Sequence, residues 1–316
     1  MEQAILAVKN LKKTYMNKKG HRVEAVKGIT FDVPRGEIFG FLGPNGAGKS
    51  TTISMLTTQL SVTSGEILLD GESIIENPAL ARSKIGVVAQ HNNLDRGLTA
   101  EENLLFRARY FGMDKKEAKE KSDYYLKKFG LYERKDDYVK TYSGGMAQRL
   151  KIARAMMHTP EILFLDEPTT GLDPNYRAIL WEAMQDLNKQ GTTIFLTTHY
   201  MEEPEQFCHQ IAIVNEGEIK AYGTAEELKA MIPSQTIVTL KLSMVTPALL
   251  EDLGTLKVKK IKHDGSLDRL YMSERNPNLD AIIKACEKHQ AMIKNIGMSQ
   301  SSLDDVFVYL TGKEQA

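Results

Sequence analysis

Nine consecutive residues of this chain have the spacing of a phosphate-binding loop: Gly43, Pro44, Asn45, Gly46, Ala47, Gly48, Lys49, Ser50 and Thr51. They fit the pattern G-x-x-x-x-G-K-[ST], in which backbone N–H groups at a helix N-terminus surround phosphate oxygens. Lys49 is then placed to reach the β- and γ-phosphates, and Ser50 to ligate Mg²⁺. Thr51 and Thr52 add hydroxyl groups for the phosphates. A glycine-rich turn would explain the glycines but not Lys49, so the segment predicts a nucleoside-triphosphate site.

A second glycine-flanked segment lies farther along the chain: Tyr142, Ser143, Gly144, Gly145 and Met146. Ser143 can cap the helix that follows, and the N–H groups of Gly144 and Gly145, together with the helix dipole, can face an anion. These two roles are compatible. Because the chain already has one phosphate loop, we expect the second segment to complete the nucleotide pocket of a neighbouring copy. The pair of segments therefore indicates a dimer driven by ATP.

Two adjacent acidic residues, Asp166 and Glu167, follow four apolar residues at 162–165. They are expected at the carboxyl end of a central strand, where ligands bind in open α/β sheets. There Asp166 would hold Mg²⁺, directly or through water, and Glu167 would position and polarise the attacking water. Taken alone, the pair could be two solvated charges in a loop. Beside a phosphate loop, the pair favours nucleotide hydrolysis.

Short apolar runs predict the strands that carry these loops. Residues 4–37 alternate with the period of half-exposed β-structure, which predicts an antiparallel β-layer. Residues 38–42 are apolar on both faces and end at the glycine loop, as a central parallel strand should. Further buried strands are expected at 85–89, 162–165, 193–197 and 211–214. The expected fold class is therefore α/β, with a mostly parallel core sheet.

The pattern becomes helical between residues 99 and 157. It begins with a capping box at Thr99 and Glu102, and it pauses at Gly112 and Gly130, the usual residues after helix ends. We interpret this stretch as an inserted helical subdomain. It contains a helix predicted over 114–129, with one apolar face and one charged face.

A structure-breaking segment near 232–235 predicts a domain boundary. The first domain would then span 1–231 and bind ATP, and the second would span 236–316. Within the second, strands are expected at 236–243, 256–263, 267–272 and 292–297, and helices at 247–253 and 278–289. This β-α-β-β-α-β order predicts a small α+β domain of the ferredoxin-like type, followed by a final helix from Ser302 to Gly312.

Composition excludes some classes of partner. The chain has 316 residues with 41 Lys and Arg against 41 Asp and Glu, so it lacks the basic field of a nucleic-acid binder. Cys208 and Cys286 are its two cysteines, and they lack the spacing of a metal site. No apolar run approaches the roughly 20 residues that cross a bilayer. We therefore expect a cytoplasmic chain that meets a membrane only through a partner.

Between residues 4 and 228 the chain resembles the ATPase subunits of ABC transporters. The matching features occur in the family's order: an aromatic residue before the P-loop, the Q-loop glutamine, the signature loop, the D-loop and the switch histidine. In this chain they are Tyr15, Gln90, residues 142–146, residues 171–173 ending at Asp173, and His199. The resemblance implies a P-loop NTPase fold of the ABC type, with ATP and Mg²⁺ as ligands.

The resemblance also implies a role for each of these residues. Tyr15 would stack on adenine, Gln90 would contact both the metal site and the helical subdomain, and His199 would contact the γ-phosphate. Asp173 would bond across the dimer interface, and the signature loop would contact the γ-phosphate held by the other subunit. The chain departs from the family at Met146, where a glutamine is usual. The serine and the backbone donors of that loop remain, so activity is expected.

Each of these residues has a structural alternative. Tyr15 can be a packing tyrosine, Gln90 an amide at a strand end, and His199 a structural histidine. Asp173 can be a turn aspartate before Pro174. The common order of all the motifs favours the functional interpretation.

The C-terminal residues carry a looser resemblance. The segments 302–307 and 310–312 resemble the end of ATPase subunits from bacterial drug-resistance and ABC-2-type exporters, including the daunorubicin exporter. This implies a membrane-spanning transporter subunit as partner, a second ATPase subunit, expected to be an identical copy, and export of a drug-like or lipid-like amphipathic compound. The alternative is a capping helix that closes a small domain.

Two other functions remain to be weighed. One is a soluble ABC-type ATPase that acts on ribosomes or nucleic acid, and the other is a regulatory module that binds nucleotide without turnover. The chain has one P-loop, one signature loop and no extended heptads, which disfavours the first. Glu167 and His199 are both present, which disfavours the second.

Overall fold

The computed structural model describes residues 4–16, 20–90, 93–232, 236–256, 258–264, 267–272 and 277–311. The chain packs as two compact units, 1–222 and 223–316. This division groups the helix Ala225–Ala230 with the second unit. Our limits of 1–231 and 236–316 for two independent domains stay a prediction.

The strands lie in chain order at β1 (Ala4–Met16), β2 (Arg22–Pro34), β3 (Ile38–Leu42), β4 (Ser64–Leu69), β5 (Glu72–Ser73), β6 (Ile85–Val88), β7 (Ile162–Asp166), β8 (Thr193–Thr198), β9 (Gln210–Asn215), β10 (Glu218–Gly223), β11 (Thr236–Leu242), β12 (Val258–Asp264), β13 (Leu267–Met272) and β14 (Ile293–Gln300). The helices are α1 (Lys49–Leu56), α2 (Pro78–Lys84), α3 (Ala100–Tyr110), α4 (Lys115–Lys128), α5 (Gly144–Met156), α6 (Pro174–Lys189), α7 (Glu202–Phe207), α8 (Ala225–Ala230), α9 (Pro247–Gly254), α10 (Leu279–Lys288) and α11 (Leu303–Thr311).

Two sheets form the first unit. The larger has the strand order β10-β9-β3-β8-β7-β6, and β3, β6, β7, β8 and β9 run parallel in it. The smaller has the order β2-β1-β4-β5 and is antiparallel. Its Phe31 stacks on Phe39 of β3 with ring centroids 5.5 Å apart, which joins the two sheets through a common core. The predicted α/β class with an antiparallel layer is confirmed.

Strand order decides where the polar loops meet. Every residue of β3, β7 and β8 is buried, as expected for the centre of a sheet covered on both faces. Because β8 pairs in parallel with both β3 and β7, the carboxyl ends of all three strands lie at one edge. The glycine loop follows β3, Glu167 follows β7, and His199 follows β8. The fold therefore gathers three separate motifs at one edge.

The helical insertion consists of α3, α4 and α5. Both bonds of the predicted capping box form: the Glu102 carboxylate accepts from the Thr99 N–H at 2.8 Å, and the Thr99 hydroxyl accepts from the Glu102 N–H at 3.2 Å. The helix expected over 114–129 is Lys115–Lys128, with Asp114 as its N-cap. None of the helices in the described ranges is both long and apolar enough to cross a bilayer.

The second unit has the predicted ferredoxin-like arrangement. Its elements follow the order β11-α9-β12-β13-α10-β14, and its strands pair antiparallel as β12-β13-β11-β14. Its core contains Leu240, Leu249 and Ile282. The final helix, α11, begins after Ser302, whose hydroxyl accepts from the Asp305 N–H at 3.3 Å. The predicted end of this helix at Gly312 lies outside the described residues.

His158, just after α5, makes the stability of the first unit depend on pH. Its ring stacks on Phe111 with centroids 3.8 Å apart, and its Nε2 lies 3.1 Å from the Ile85 carbonyl oxygen. Burial lowers the pKa of His158 from 6.5 to about 4. As pH falls, the unfolded state therefore takes up a proton on His158 at a higher pH than the native state does. The free energy of unfolding is unaffected by His158 above pH 6.5, and it decreases as pH falls toward 4.

Between pH 7.5 and 5 we expect His158 to cost the native state about 2 kcal/mol. Urea titrations at both pH values, with wild type and His158→Gln, measure this. The variant should lose correspondingly less stability on acidification. An equal loss in both proteins would show that other groups control the acid sensitivity.

Candidate nucleotide site

The glycine loop has a backbone that only glycine adopts easily. Gly46 has φ 83° and Gly48, the N-cap of α1, has φ 101°. A Cβ at Gly43 would lie 2.1 Å from the carbonyl oxygen of Val214, and one at Gly48 would lie 2.6 Å from that of Ala25. The loop therefore turns tightly into α1 and leaves backbone N–H groups available at the helix N-terminus, as an anion site requires.

Lys49 is a buried cation at the start of α1, with 4% of its surface exposed. Its Nζ donates to the carbonyl oxygens of Gly43, at 2.7 Å, and Pro44, at 3.2 Å. It also lies 3.5 Å from Oε1 of Glu167. Burial lowers the pKa of Lys49, and the negative charges of Glu167 and Asp166 oppose that shift. The loop thus holds an ammonium group between its own carbonyls and a carboxylate.

Asp166 ends β7 and is oriented by its neighbour in β8. Asp166 and Thr197 are paired in register, and the Thr197 hydroxyl donates to Oδ1 of Asp166 at 2.6 Å. The Ser50 hydroxyl lies 3.4 Å from the same oxygen. A hydroxyl and a carboxylate at this spacing are hard oxygen donors of the kind that Mg²⁺ prefers. Their chemistry fits the predicted metal site, with Gln90 on the wall of the same cavity.

Glu167 combines a strained backbone with a buried carboxylate. Its φ is 48°, in the left-handed region, which costs a non-glycine residue about 1–2 kcal/mol. Its N–H donates to the carbonyl and hydroxyl oxygens of Thr197, at 3.1 and 3.2 Å. With the backbone held in this way, the carboxylate lies between Lys49 on one side and His199 on the other. Strain of this kind clusters at functional sites.

His199 is the third polar group at this edge, beside Lys49 and Glu167. Its Nδ1 lies 3.2 Å from Oε2 of Glu167, without the alignment of a hydrogen bond, and no described residue offers Nδ1 another acceptor. The ring lies against Tyr200 with centroids 4.2 Å apart. A buried, unpaired ring nitrogen beside a carboxylate is a group that a ligand can engage.

Lys49, Ser50 and Glu167 line a cavity of about 290 Å³. Its lining residues are Ala25, Asn45, Gly46, Gly48, Lys49, Ser50, Thr51, Gln90 and Glu167. The structure thus brings the predicted P-loop residues together with Gln90 and Glu167. Two residues that contribute to the site, Ala25 and Thr197, were not identified from the sequence. Ala25 carries no chemical signal, and Thr197 would have been suggested only by a hydroxyl at the end of a buried strand.

Thr52 differs from its expected position. It is buried, and its hydroxyl donates to the carbonyl oxygen of Gly48 at 2.9 Å, one turn back in the helix. It therefore supports α1 rather than lining the cavity. Thr51 remains as the lining threonine.

Eleven predicted residues are absent from the lining of this cavity: Tyr15, Gly43, Pro44, Ala47, Thr52, Ser143, Gly144, Gly145, Asp166, Asp173 and His199. Ser143 caps α5 by accepting from the Met146 N–H at 3.3 Å, and Gly144 has open space where a side chain would be. Asp173 caps α6 by accepting from the N–H groups of Asn175 and Tyr176. Ser143 and Asp173 are therefore both helix N-caps, and their predicted roles at the nucleotide stay predictions.

Comparison with known proteins agrees with this geometry. A family model described as "ABC transporter" matches residues 26–170. A second, described as "AAA domain, putative AbiEii toxin, Type IV TA system", matches residues 147–202, which include Asp166, Glu167 and His199.

Three relatives match along nearly their whole length. The linearmycin resistance ATP-binding protein LnrL of Bacillus subtilis is 37% identical over 98% of this chain and 99% of its own. The daunorubicin/doxorubicin resistance ATP-binding protein DrrA of Streptomyces peucetius is 38% identical over 91% of this chain and 88% of its own. The Nod factor export ATP-binding protein I of Paraburkholderia xenovorans is 37% identical over 99% and 99%.

Solved structures agree with the relatives. An ATP-binding subunit of an ABC transporter is 30% identical, covers 72% of this chain and 92% of its own, and has a TM-score of 0.67. A dimeric ATP-binding cassette in a post-hydrolysis state with ADP and Pi is 28% identical and has a TM-score of 0.65. It covers 69% of this chain and 98% of its own. This chain therefore belongs to the ATP-binding subunits of ABC transporters, a family of ATPases.

Proposed function

We propose that this chain hydrolyses ATP as one half of a dimer and so drives a membrane-spanning partner that exports a drug-like or lipid-like amphipathic compound. The observation that carries the proposal is the meeting of Lys49, Glu167 and His199 beside the glycine loop. The names of the relatives, which concern resistance to linearmycin and daunorubicin and the export of Nod factor, support export.

In this proposal the glycine loop binds the phosphates. The N–H groups of residues 45–50 and the positive end of α1 contact phosphate oxygens, and Lys49 leaves the carbonyls of its own loop to neutralise them. Thr51 adds a hydroxyl from the cavity wall. Tyr15 stacks on the adenine ring, for which its ring is 39% exposed.

Ser50 and Asp166, with Gln90, would hold Mg²⁺. The metal, when bound, would neutralise charge that develops on the phosphate oxygens. Within the described residues no three His, Cys, Asp or Glu side chains form a metal cluster, so the site depends on the Ser50 hydroxyl and on phosphate oxygens as well. Thr197 keeps the Asp166 carboxylate in place through its 2.6 Å hydrogen bond.

Glu167 would act on the attacking water, and His199 on the γ-phosphate. Departure of Lys49 toward the phosphates would leave one oxygen of the Glu167 carboxylate free to accept a proton from water. His199 Nδ1 lies 3.2 Å from the carboxylate of Glu167, and the ring would turn toward the terminal phosphate when nucleotide binds. Glu167 would serve as the general base and His199 as the residue that stabilises the transferred group.

A second ATPase subunit, an identical copy, would complete the site. Ser143, Gly144 and Gly145 are at the N-terminus of α5 and do not line the cavity of their own chain. They would bind the γ-phosphate held by the other copy, and Asp173 would bond across the interface. One of the structural neighbours is a dimer with ADP and Pi, which supports this arrangement.

The membrane-spanning subunit would receive the conformational change from the helical insertion. Gln90 lines the cavity, and the main chain at Ala89 and Gln90 accepts hydrogen bonds from Lys151 of α5 at 3.1 and 3.3 Å. Movement at the nucleotide would thus reach α5 and the adjoining segment 93–98. The chain would work at the cytoplasmic face of the membrane, held there by its partner.

Purification together with a membrane protein tests this function. The protein encoded beside this chain, if it has about six apolar spans, should co-purify with it, and the reconstituted complex should hydrolyse ATP several-fold faster when an exported amphipathic compound is added. The same complex with Lys49→Ala is the control and should show no stimulation. Failure of the two proteins to associate would contradict the transport proposal.

A further inference from the structure

The orientation of the His199 ring is not fixed by a hydrogen bond at Nδ1. That nitrogen is buried and has no hydrogen-bond partner in the part of the chain that the structure describes, and the Glu167 carboxylate lies 3.2 Å from it without the alignment of a hydrogen bond. A histidine at a reactive site is usually oriented by a hydrogen bond to one ring nitrogen. The ring of His199 must therefore be held by its other contacts.

The ring of Tyr200 is one such contact. It lies against the His199 ring with centroids 4.2 Å apart and the two planes inclined by 38°. The Tyr200 N–H donates to the Thr198 hydroxyl at 3.0 Å, which holds the main chain beside His199. The Tyr200 side chain is half-exposed, and an exposed side chain changes rotamer rapidly unless another group holds it. Tyr200 can orient His199 only if its own ring is held.

Arg177 of α6 supplies that contact. Its guanidinium carbon lies 5.2 Å from the centroid of the Tyr200 ring, within the range of a cation–π interaction. Its Nε donates to the carbonyl oxygen of Leu172 at 3.1 Å, which fixes the direction of the side chain. Arg177 thus connects the loop before α6 to Tyr200, and Tyr200 connects it to His199.

A second contact lies one helical turn farther along α6. Trp181 stacks on Phe207, the last residue of α7, with ring centroids 4.3 Å apart. Residues four positions apart lie on the same face of a helix, so Arg177 and Trp181 face the segment after β8 together. Trp181 contacts the far end of that segment, and Arg177 contacts the end that carries His199.

We infer that Arg177 is a positioning residue for ATP hydrolysis and that it acts on His199 through the ring of Tyr200. The cation holds the Tyr200 ring, and that ring restricts the His199 ring to orientations beside Glu167, from which it reaches the terminal phosphate. Arg177 itself would touch neither the nucleotide nor the attacking water. This inference rests on the role proposed above for His199.

Steady-state ATP hydrolysis by the full chain tests the role of Arg177. Arg177→Met keeps the aliphatic stem but removes the guanidinium. It should lower kcat about 10-fold and keep KM for ATP within about two-fold of wild type, because orientation is lost and binding is not. Lys189→Met removes a cation from the exposed end of the same helix and is the matched control, with kcat like wild type. The fluorescence of Trp181, the one tryptophan of the chain, should be the same in all three proteins.

A second pair of variants separates the ring of Tyr200 from its hydroxyl. Tyr200→Phe keeps the ring and should retain most of the kcat of wild type, whereas Tyr200→Leu removes the ring and should lose as much kcat as Arg177→Met. The double variant Arg177→Met/Tyr200→Leu should be no slower than either single variant, because both substitutions remove the same contact.

A His199→Ala background shows whether Arg177 acts through His199. Single-turnover hydrolysis, with protein in excess over ATP, measures the slow rates of these variants. His199→Ala should lower the rate, and adding Arg177→Met should change it by less than about two-fold, because no ring remains to be oriented.

The failures are distinguishable. If His199→Ala hydrolyses ATP like wild type, the proposed role of His199 fails. If His199→Ala is slow, but Arg177→Met leaves the rate of the otherwise wild-type chain unchanged, the inference about Arg177 is wrong. It is also wrong if Arg177→Met costs the same factor in both backgrounds, or if Tyr200→Phe is as slow as Tyr200→Leu.

Discussion

Glu167→Gln is expected to slow ATP hydrolysis by about 10²-fold or more while ATP still binds. Glutamine has nearly the same shape as glutamate, so the contacts around the site remain, but its amide cannot accept a proton from water. The carboxylate lies between Lys49 and His199, where a water attacking the terminal phosphate would be found. Single-turnover hydrolysis and nucleotide-binding titrations measure the two quantities separately.

The same variant should accumulate as an ATP-bound dimer. Since hydrolysis is needed to release the two copies, gel filtration with ATP and Mg²⁺ should show a dimer for Glu167→Gln and little dimer for wild type. Glu161→Gln is the matched control, because Glu161 precedes the same strand at its other end and pairs with Arg35 and Lys84. It should hydrolyse ATP like wild type. Unchanged turnover in Glu167→Gln would exclude Glu167 as the base.

Ser143→Arg is expected to abolish turnover and leave ATP binding to the isolated chain nearly unchanged. Ser143 does not line the cavity of its own chain and is exposed, so a long side chain at this position can extend into solvent in the monomer. It would block only the γ-phosphate site of the second copy that this loop completes. Loss of ATP binding in the monomer would contradict a site shared between two copies.

Mixing two inactive variants tests the shared site directly. Lys49→Ala removes the phosphate-binding cation and Ser143→Arg blocks the signature loop, so each variant alone should be inactive. In an equal mixture, half of the dimers carry both variants, and each of these has one intact site, which is about a quarter of all sites. Hydrolysis should therefore reappear on mixing. A mixture as inactive as its components would contradict the arrangement.

Ser143→Asn separates blocking of the interface from loss of the helix cap. Ser143 caps α5 through the Met146 N–H, and asparagine caps a helix about as well as serine. This variant should therefore keep the stability of wild type and lose less activity than Ser143→Arg. Equal thermal unfolding of wild type and Ser143→Asn would confirm that the cap is kept.

Elements with strong local signals could be predicted closely. The capping box at Thr99 is formed by residues three positions apart, so it depends on no distant contact. The strand predicted at 292–297 instead runs from Ile293 to Gln300, because its pairing with β11 continues until Gln300 lies opposite Thr236. Strand ends depend on the partner strand, which the local pattern does not describe.

Several features of the site had no local signal. The backbone of Glu167 is left-handed, and its N–H donates to Thr197, thirty residues away. Thr52 is predicted to contact the phosphates, and only the structure shows that its hydroxyl donates to the Gly48 carbonyl oxygen one turn back.

The sequence by itself identified the motifs that carry the chemistry: a phosphate loop at a helix start, an acidic pair at a strand end, and a second glycine-flanked loop. Such motifs can be recognised because residues close in sequence produce them. Only the tertiary structure decided which of these groups meet. Lys49, Glu167 and His199 meet because β3, β8 and β7 are neighbours in one sheet and end at the same edge, and strand order arises from burying apolar faces far apart in the chain.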